Sequence, residues 1–260
     1  MSQSSPSSTQ LLKLSGVKKS FGGLIAVNNL SFDVGDKEIV GLIGPNGAGK
    51  TTVFNIITGM HKPDSGNITF LGTDIVGKKP HAIARLGIAR TFQTVRPFAR
   101  MTVIENAMMG SLFGKDHTLS VGTARERAFQ ILSFTDLATK AETLAANLTL
   151  AEQRRLELAR AIATQPRLLM LDEVMAGLNL TEISETLELL FRLNREMQIS
   201  ILVIEHVMKA VMKLCSRIIV IDHGSTIAEG TPQEVVANED VIIAYMGDKR
   251  EGAASRKKTD

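Results

Sequence analysis

The sequence predicts an α/β fold: a mostly parallel sheet, an N-terminal antiparallel β sub-domain and an inserted helical sub-domain. Three observations carry that expectation. First, Gly44-Pro45-Asn46-Gly47-Ala48-Gly49-Lys50-Thr51 completes the G-x-x-x-x-G-K-[ST] phosphate-loop pattern. Second, the loop lies between a short apolar run, Glu38-Ile39-Val40-Gly41-Leu42-Ile43, and a helix-opening stretch, Thr52-Val53-Phe54-Asn55-Ile56-Ile57. A buried parallel strand followed by a helix whose N-terminus faces anionic oxygens has this form. Third, helical periodicity dominates residues 103–163, after which short β-branched runs return.

Taken in order, Leu12-Lys13-Leu14 and Leu30-Ser31-Phe32-Asp33-Val34 have the period two of half-buried strands. Glycine-bearing turns are expected at Gly16 and Gly22-Gly23, and Gly35-Asp36-Lys37 turns into the phosphate-loop strand. Asn67-Ile68-Thr69-Phe70-Leu71-Gly72 reads as a further strand after the turn Pro63-Asp64-Ser65-Gly66. Beyond the helical block, strands are expected at Leu168-Leu169-Met170-Leu171, Ile201-Leu202-Val203-Ile204 and Ile218-Ile219-Val220-Ile221, with helices between.

Composition narrows the class. The 260 residues suffice for one large α/β domain. No apolar run approaches the ~18 residues that span a bilayer. The first eight residues are polar and lack the apolar stretch of a secretory signal; residues 1–10 are expected to be a disordered leader. A single cysteine, Cys215, excludes an intramolecular disulfide, and its neighbours Val211, Met212 and Leu214 suggest a packed helix. A net charge of +3 is too small to argue for nucleic acid. Residues 248–260 read as a flexible basic tail.

The apolar run 168–171 ends in two carboxylates, Asp172 and Glu173. Ligands of a parallel sheet collect at the C-terminal strand ends, beside the phosphate loop. Asp172 is therefore placed to hold Mg²⁺, and Glu173 to orient and deprotonate an attacking water. In the loop, glycines leave backbone N–H groups free for phosphate oxygens. Lys50 offers an ammonium to the β- and γ-phosphates, and Thr51 offers a hydroxyl to Mg²⁺.

Upstream stands Leu148-Thr149-Leu150-Ala151-Glu152-Gln153-Arg154-Arg155. The order of phosphate loop, Gln93, this helix start, Asp172-Glu173, Gly177-Leu178-Asn179 and His206 resembles the nucleotide-binding subunits of ATP-binding-cassette transporters, over about residues 11–247. The resemblance implies a phosphate-loop ATPase using ATP and Mg²⁺, with a helical sub-domain at about 94–165. It implies a head-to-tail dimer in which each phosphate loop faces the other subunit's signature helix. Asn46, Gly47, Ala48, Gly49, Lys50, Thr51 and Thr52 would bind the phosphates of one nucleotide; Thr149, Ala151 and Gln153 would meet the γ-phosphate from across the interface. Gln93 resembles the glutamine that senses Mg²⁺ and the attacking water, and His206 the histidine that contacts the γ-phosphate. Asn179 lies in the loop expected to connect the two sites. Phe21 stands where the family stacks a ring on adenine. His61, His81, His117 and His223 have no such context and read as surface residues.

Two departures stand out. Thr149-Leu150-Ala151 stands where the family usually has serine-glycine-glycine, or serine-tyrosine-glycine in the most similar branch, so Ala151 adds a methyl where backbone approaches phosphate and disfavours positive φ. Val174 and Leu180 stand where proline is common. The expectation from Ala151 is a pairing with a non-identical ATPase and two unequal sites. Within the family, Phe21-Gly22-Gly23-Leu24-Ile25-Ala26-Val27, residues 89–98, residues 101–106 and residues 241–248 resemble the ATPases of branched-chain amino acid importers. That implies permease partners, a second cassette, a periplasmic solute-binding protein, no nucleic acid, and a peripheral place on the cytoplasmic face of the inner membrane. Arg96, Phe98 and Met101 are candidate contacts to a permease helix. A lipid or lipopolysaccharide exporter and a soluble non-transport cassette ATPase are the alternatives.

Overall fold

A computed structural model describes residues 10–94, 96–115 and 118–246. The tail, His117 and all of the leader except Gln10 lie outside the described residues.

The chain opens with a long hairpin, β1 (Gln10–Phe21) and β2 (Leu24–Gly35), turning at Gly22-Gly23. The phosphate-loop strand β3 (Ile39–Ile43) and helix α1 (Lys50–Ile57) follow. Then come β4 (Ser65–Phe70), β5 (Thr73–Asp74), α2 (Pro80–Leu86) and β6 (Ile88–Arg90). The helical block consists of α3 (Val103–Phe113), α4 (Val121–Phe134) and α5 (Leu150–Ala163). The remainder alternates: β7 (Leu168–Asp172), α6 (Leu180–Glu196), β8 (Ser200–Ile204), α7 (Met208–Leu214) and β9 (Arg217–Asp222). It ends with β10 (Ser225–Gly230), α8 (Pro232–Ala237) and α9 (Glu239–Met246).

Two sheets result. One is antiparallel with strand order β2-β1-β4-β5; the other has order β10-β9-β3-β8-β7-β6 and is parallel except for its edge pair β10-β9. All five residues of β3, β7 and β8 are buried, as a parallel sheet covered on both faces requires. Their side chains alternate between two cores. Leu169 and Leu171 join Leu156 of α5 and Leu190 of α6 in one core, while Leu168 and Met170 join Leu12, Phe54 and Phe70 beneath the antiparallel sheet. β3 is thereby fixed between both layers, and with it the loop it launches.

Several elements differ from the sequence expectation. Gly16 does not turn the chain; it sits inside β1 at φ 61, where the pairing register with β2 shifts, so it makes a bulge. Ser31 Oγ accepts the Gly16 N–H at 2.8 Å there. Three strands escape the pattern: β5, β6 and β10, of two, three and six residues. β5 and β6 are too short for periodicity to register, and β10 is a half-exposed edge. Cys215 follows α7 and is buried, as its neighbours suggest; burial and the nearby Glu205 push its thiol up to about 12, so it stays protonated. Among the described residues no helix is long and apolar enough to cross a membrane.

Candidate functional site

The phosphate loop is a close approach of backbone to backbone. A Cβ on Gly44 would lie 2.0 Å from the Ile221 carbonyl oxygen, and one on Gly49 2.2 Å from that of Ala26. Gly49 is also the left-handed N-cap of α1, at φ 101. Gly224 N–H donates to Ala48 O at 3.0 Å, so the β9–β10 turn braces the loop from behind. Asn46 and Gly47 are exposed at its crest, Ala48 is buried, and Thr51 and Thr52 occupy the first turn of α1. Lys50 is buried and bends back, Nζ donating to Gly44 O at 2.7 Å and Pro45 O at 2.9 Å. Burial lowers its pKa, against the pull of the Glu173 and Asp172 carboxylates. A cation resting on carbonyls within a crown of backbone N–H groups suits an incoming polyanion.

Asp172 ends β7 fully buried, its N–H donating to Thr91 Oγ1 at 3.2 Å. Glu173 follows in the left-handed region at φ 53, a conformation that costs a non-glycine residue ~1–2 kcal/mol. Its N–H donates to Ile204 O at 2.9 Å, tying it to the end of β8. Its carboxylate bridges two predicted site residues: Gln93 Nε2 donates to Oε2 at 2.8 Å, and His206 Nε2 lies 2.9 Å from Oε1. Lys50, Gln93, Asp172, Glu173 and His206 are therefore brought together from four separate segments.

Two further residues hold this cluster and escape sequence reasoning. Glu205, 3% exposed, accepts the Met175 N–H at 2.8 Å and so shapes the loop after Glu173; burial holds its carboxyl above the usual range. Arg90, at the end of β6, pairs with Asp172 at 2.7 Å. A signal for Arg90 existed: a cation closing an apolar run, two residues before the loop that carries Gln93.

The N-terminus of α5 is capped by Thr149, which exchanges hydrogen bonds with Glu152 in a capping box. Ala151 lies in the first helical turn and is absent from the positive-φ residues, so no left-handed strain arises there; only its added methyl remains to be weighed. Gln153 Nε2 donates to Leu148 O at 3.0 Å, on its own helix start. Among the described residues no hydrogen bond joins Thr149, Ala151 or Gln153 to the phosphate loop of the same chain.

Further along, α5 grips the segment around Gln93. Arg154 donates to Gln93 O at 3.0 Å, Glu157 accepts the Phe92 N–H at 2.8 Å, and Arg160 donates to Arg96 O at 3.1 Å while lying 4.7 Å over the Phe98 ring. Burial raises the Glu157 pKa against these partners. Beside this segment runs a groove of about 870 Å³, lined by Arg96 and Phe98 together with Met60, Phe113, Thr51 and Asp172. Met101 does not line it; its N–H donates to Phe98 O and its carbonyl accepts from Ala145.

Phe21 stands apart on the β1–β2 hairpin, half-exposed, with Lys19 Nζ 5.4 Å from its ring centroid. The His61 ring meets it edge-on at 5.2 Å, so His61 has a ring partner rather than a bare surface setting. His81 and His223 are exposed, as expected. Asn179 caps α6, accepting from Thr181 and Glu182; Val174 is buried, and Leu180 takes the first helical position at 86% exposure.

A braced phosphate loop, a strand-end carboxylate pair and a helical block clamped to the glutamine segment define a cassette-type phosphate-loop ATPase. Comparison with known proteins agrees: the ABC transporter family model matches residues 27–176, and that of the branched-chain amino acid ATP-binding cassette transporters matches residues 225–251. The chain belongs to the ABC transporter family and is an ATP-hydrolysing subunit of such a transporter. It is 46% identical to the high-affinity branched-chain amino acid transport ATP-binding protein LivG of Salmonella typhimurium, covering 93% of this chain and 99% of that one. BraF of Pseudomonas aeruginosa, of the same description, is 43% identical with the same coverage. The lipopolysaccharide export ATP-binding protein LptB of Haemophilus influenzae is 34% identical, over 92% of this chain and 98% of that one. Among solved structures, an ATP-binding cassette of an ABC transporter in its ADP conformation superposes with a TM-score of 0.83 at 30% identity, covering 92% of this chain and all of the other.

Such ATPases use ATP with Mg²⁺ and work with permeases and a paired ATPase. The donor set here fits both groups. The glycine cradle at Gly44 and Gly49 admits no side chain, leaving its backbone to phosphate. Among the described residues no three His, Cys, Asp or Glu side chains cluster to cage a metal. Mg²⁺ needs no cage when phosphate and water supply most of its oxygens, beside one carboxylate and one hydroxyl.

Proposed function

We propose that this ATPase drives import of branched-chain amino acids or related small polar solutes. The likeness to LivG and BraF along nearly the whole chain, C-terminal segment included, carries the reading. The cassette then spans residues 11–247, with its helical sub-domain at about 94–165. It sits peripherally on the cytoplasmic face of the inner membrane and serves permeases fed by a periplasmic solute-binding protein. The groove beside Arg96 and Phe98 receives a permease helix; its exposed Met60, Phe92 and Phe113 supply apolar contact.

At the site, Asn46 to Thr52 bind the phosphates and Phe21 stacks on the adenine. Thr51, Asp172 and Gln93 would hold Mg²⁺, which when bound would supply charge neutralisation on the phosphates. Glu173 takes the proton of the water that attacks the γ-phosphorus, and ADP departs. Gln93 and His206 support that role by fixing both carboxylate oxygens. Because Arg154 holds the Gln93 carbonyl, whatever moves Gln93 pulls on α5. Thr149, Ala151 and Gln153 act on the nucleotide of a partner cassette, which fits the absence, among the described residues, of hydrogen bonds from them to the loop of their own chain.

Purification from membranes with the native permeases, followed by reconstitution with the solute-binding protein, tests the substrate class. ATP-dependent uptake of leucine, isoleucine or valine is expected. Recovery with a lipid exporter's permeases and no amino acid uptake would overturn it. For the unequal-site reading, Ala151→Gly in the assembled complex is expected to raise turnover by relieving the added methyl; glycine costs the helix up to ~1 kcal/mol. Unchanged turnover counts against that reading.

A further inference from the structure

Arg90 occupies an unusual position for a cation. Its side chain is 6% exposed and that of Asp172 2%, with Nη2 2.7 Å from Oδ2. A carboxylate so deep is costly unless paired, and one so placed is otherwise open to any cation. Every other group fixing the guanidinium belongs to a segment that also carries a site residue. Nη1 donates to Asn55 Oδ1 at 2.6 Å, on the helix that begins with Lys50 and Thr51. The rings of Phe54 and Phe92 lie 5.4 and 5.1 Å away, and Phe92 precedes Gln93. Nε is buried and has no hydrogen-bond partner among the described residues. The guanidinium is therefore held mainly by its charge on Asp172, one polar bond and two ring faces.

We propose that Arg90 is a positioning residue that stands in for the divalent cation. Its guanidinium neutralises Asp172, and a divalent cation must compete with it for that carboxylate. Arg90 thereby sets how tightly the metal is held and makes tight holding depend on nucleotide phosphates. This rests on the reading of Asp172 as a metal-holding carboxylate.

Mn²⁺ binding, followed by electron paramagnetic resonance with and without ADP, tests it on the purified full chain. Arg90→Met is expected to bind Mn²⁺ about tenfold more tightly, chiefly in the absence of ADP, because a competing positive charge is gone. Arg90→Lys keeps the charge and is expected to stay near the wild-type value. A purely structural Arg90 predicts weaker or unchanged binding in Arg90→Met, and that result overturns the proposal. Asp172→Asn separates the two claims. If it leaves Mn²⁺–ADP binding untouched, the metal reading of Asp172 fails; if it weakens binding while Arg90→Met changes nothing, only the Arg90 inference fails. Should Arg90→Met not fold, the wild-type chain decides. Its Arg90 guanidinium nitrogen resonance is expected to shift on adding Mg²⁺ with ADP but not ADP alone, and an unmoved resonance overturns the proposal.

Discussion

Glu173→Gln is expected to lower steady ATP turnover of the assembled transporter by about 10²–10⁴-fold, the range a positioned general base supplies. Glutamine preserves the size of the side chain and can still accept from Gln93, so the 2.8 Å contact and the fold survive. What it loses is a carboxylate able to take a proton. ATP should still bind, and the closed pair of cassettes should accumulate because its γ-phosphate is never removed. Phosphate release measured on the purified complex checks this, with size-exclusion chromatography in ATP reporting the dimer. Turnover near the wild-type rate would remove Glu173 from the role of base and leave its bonds to Gln93 and His206 as structural.

Lys50→Ala is expected to be nearly as severe, but at an earlier step. The lysine is buried in the loop and held by two backbone carbonyls at 2.7 and 2.9 Å, ready to trade them for phosphate oxygens. Charged hydrogen bonds to a polyanion contribute about 1.5–3 kcal/mol each, so loss of one or two weakens ATP binding by roughly 10- to 10⁴-fold. Alanine removes the cation and its bonds to Gly44 and Pro45, but leaves the packing of Gly44 and Gly49 against Ile221 and Ala26 that sets the loop's shape. Calorimetric titration with ATP, alongside a thermal melt to verify folding, makes the measurement. Wild-type affinity would sink the assignment of this loop as the phosphate site. The two variants are distinguishable: Lys50→Ala should fail at binding, Glu173→Gln after it.

Much of the fold was legible because its signals are local. The phosphate loop lies within eight consecutive residues, four of them of defined type. The buried strands β3, β7 and β8 announce themselves as unbroken apolar runs, since both faces of a parallel sheet are covered. The short strand β6 was invisible for the opposite reason. Three residues carry no period, and only pairing with β7 makes Ile88–Arg90 a strand. His61 likewise had no local signal, because its partner Phe21 is forty residues earlier, at the end of β1. The left-handed argument for Ala151 lapsed because that residue lies in the first turn of a capped helix.

The sequence by itself determined the class of fold, the phosphate loop, and which side-chain types could serve a hydrolytic site. The tertiary structure decided how they meet. Glu173 receives Gln93 from 80 residues away and His206 from 33, and Arg90 reaches Asp172 across 82. Those meetings depend on β6, β7 and β8 lying side by side in register, with Arg90 opposite Met170 and Asp172 opposite Ile204. They depend too on the left-handed turn at Glu173 that follows β7. Periodicity says that a strand is buried; it does not say which strand lies next to it. That choice is made by packing of the two cores, and it turns scattered polar residues into one site.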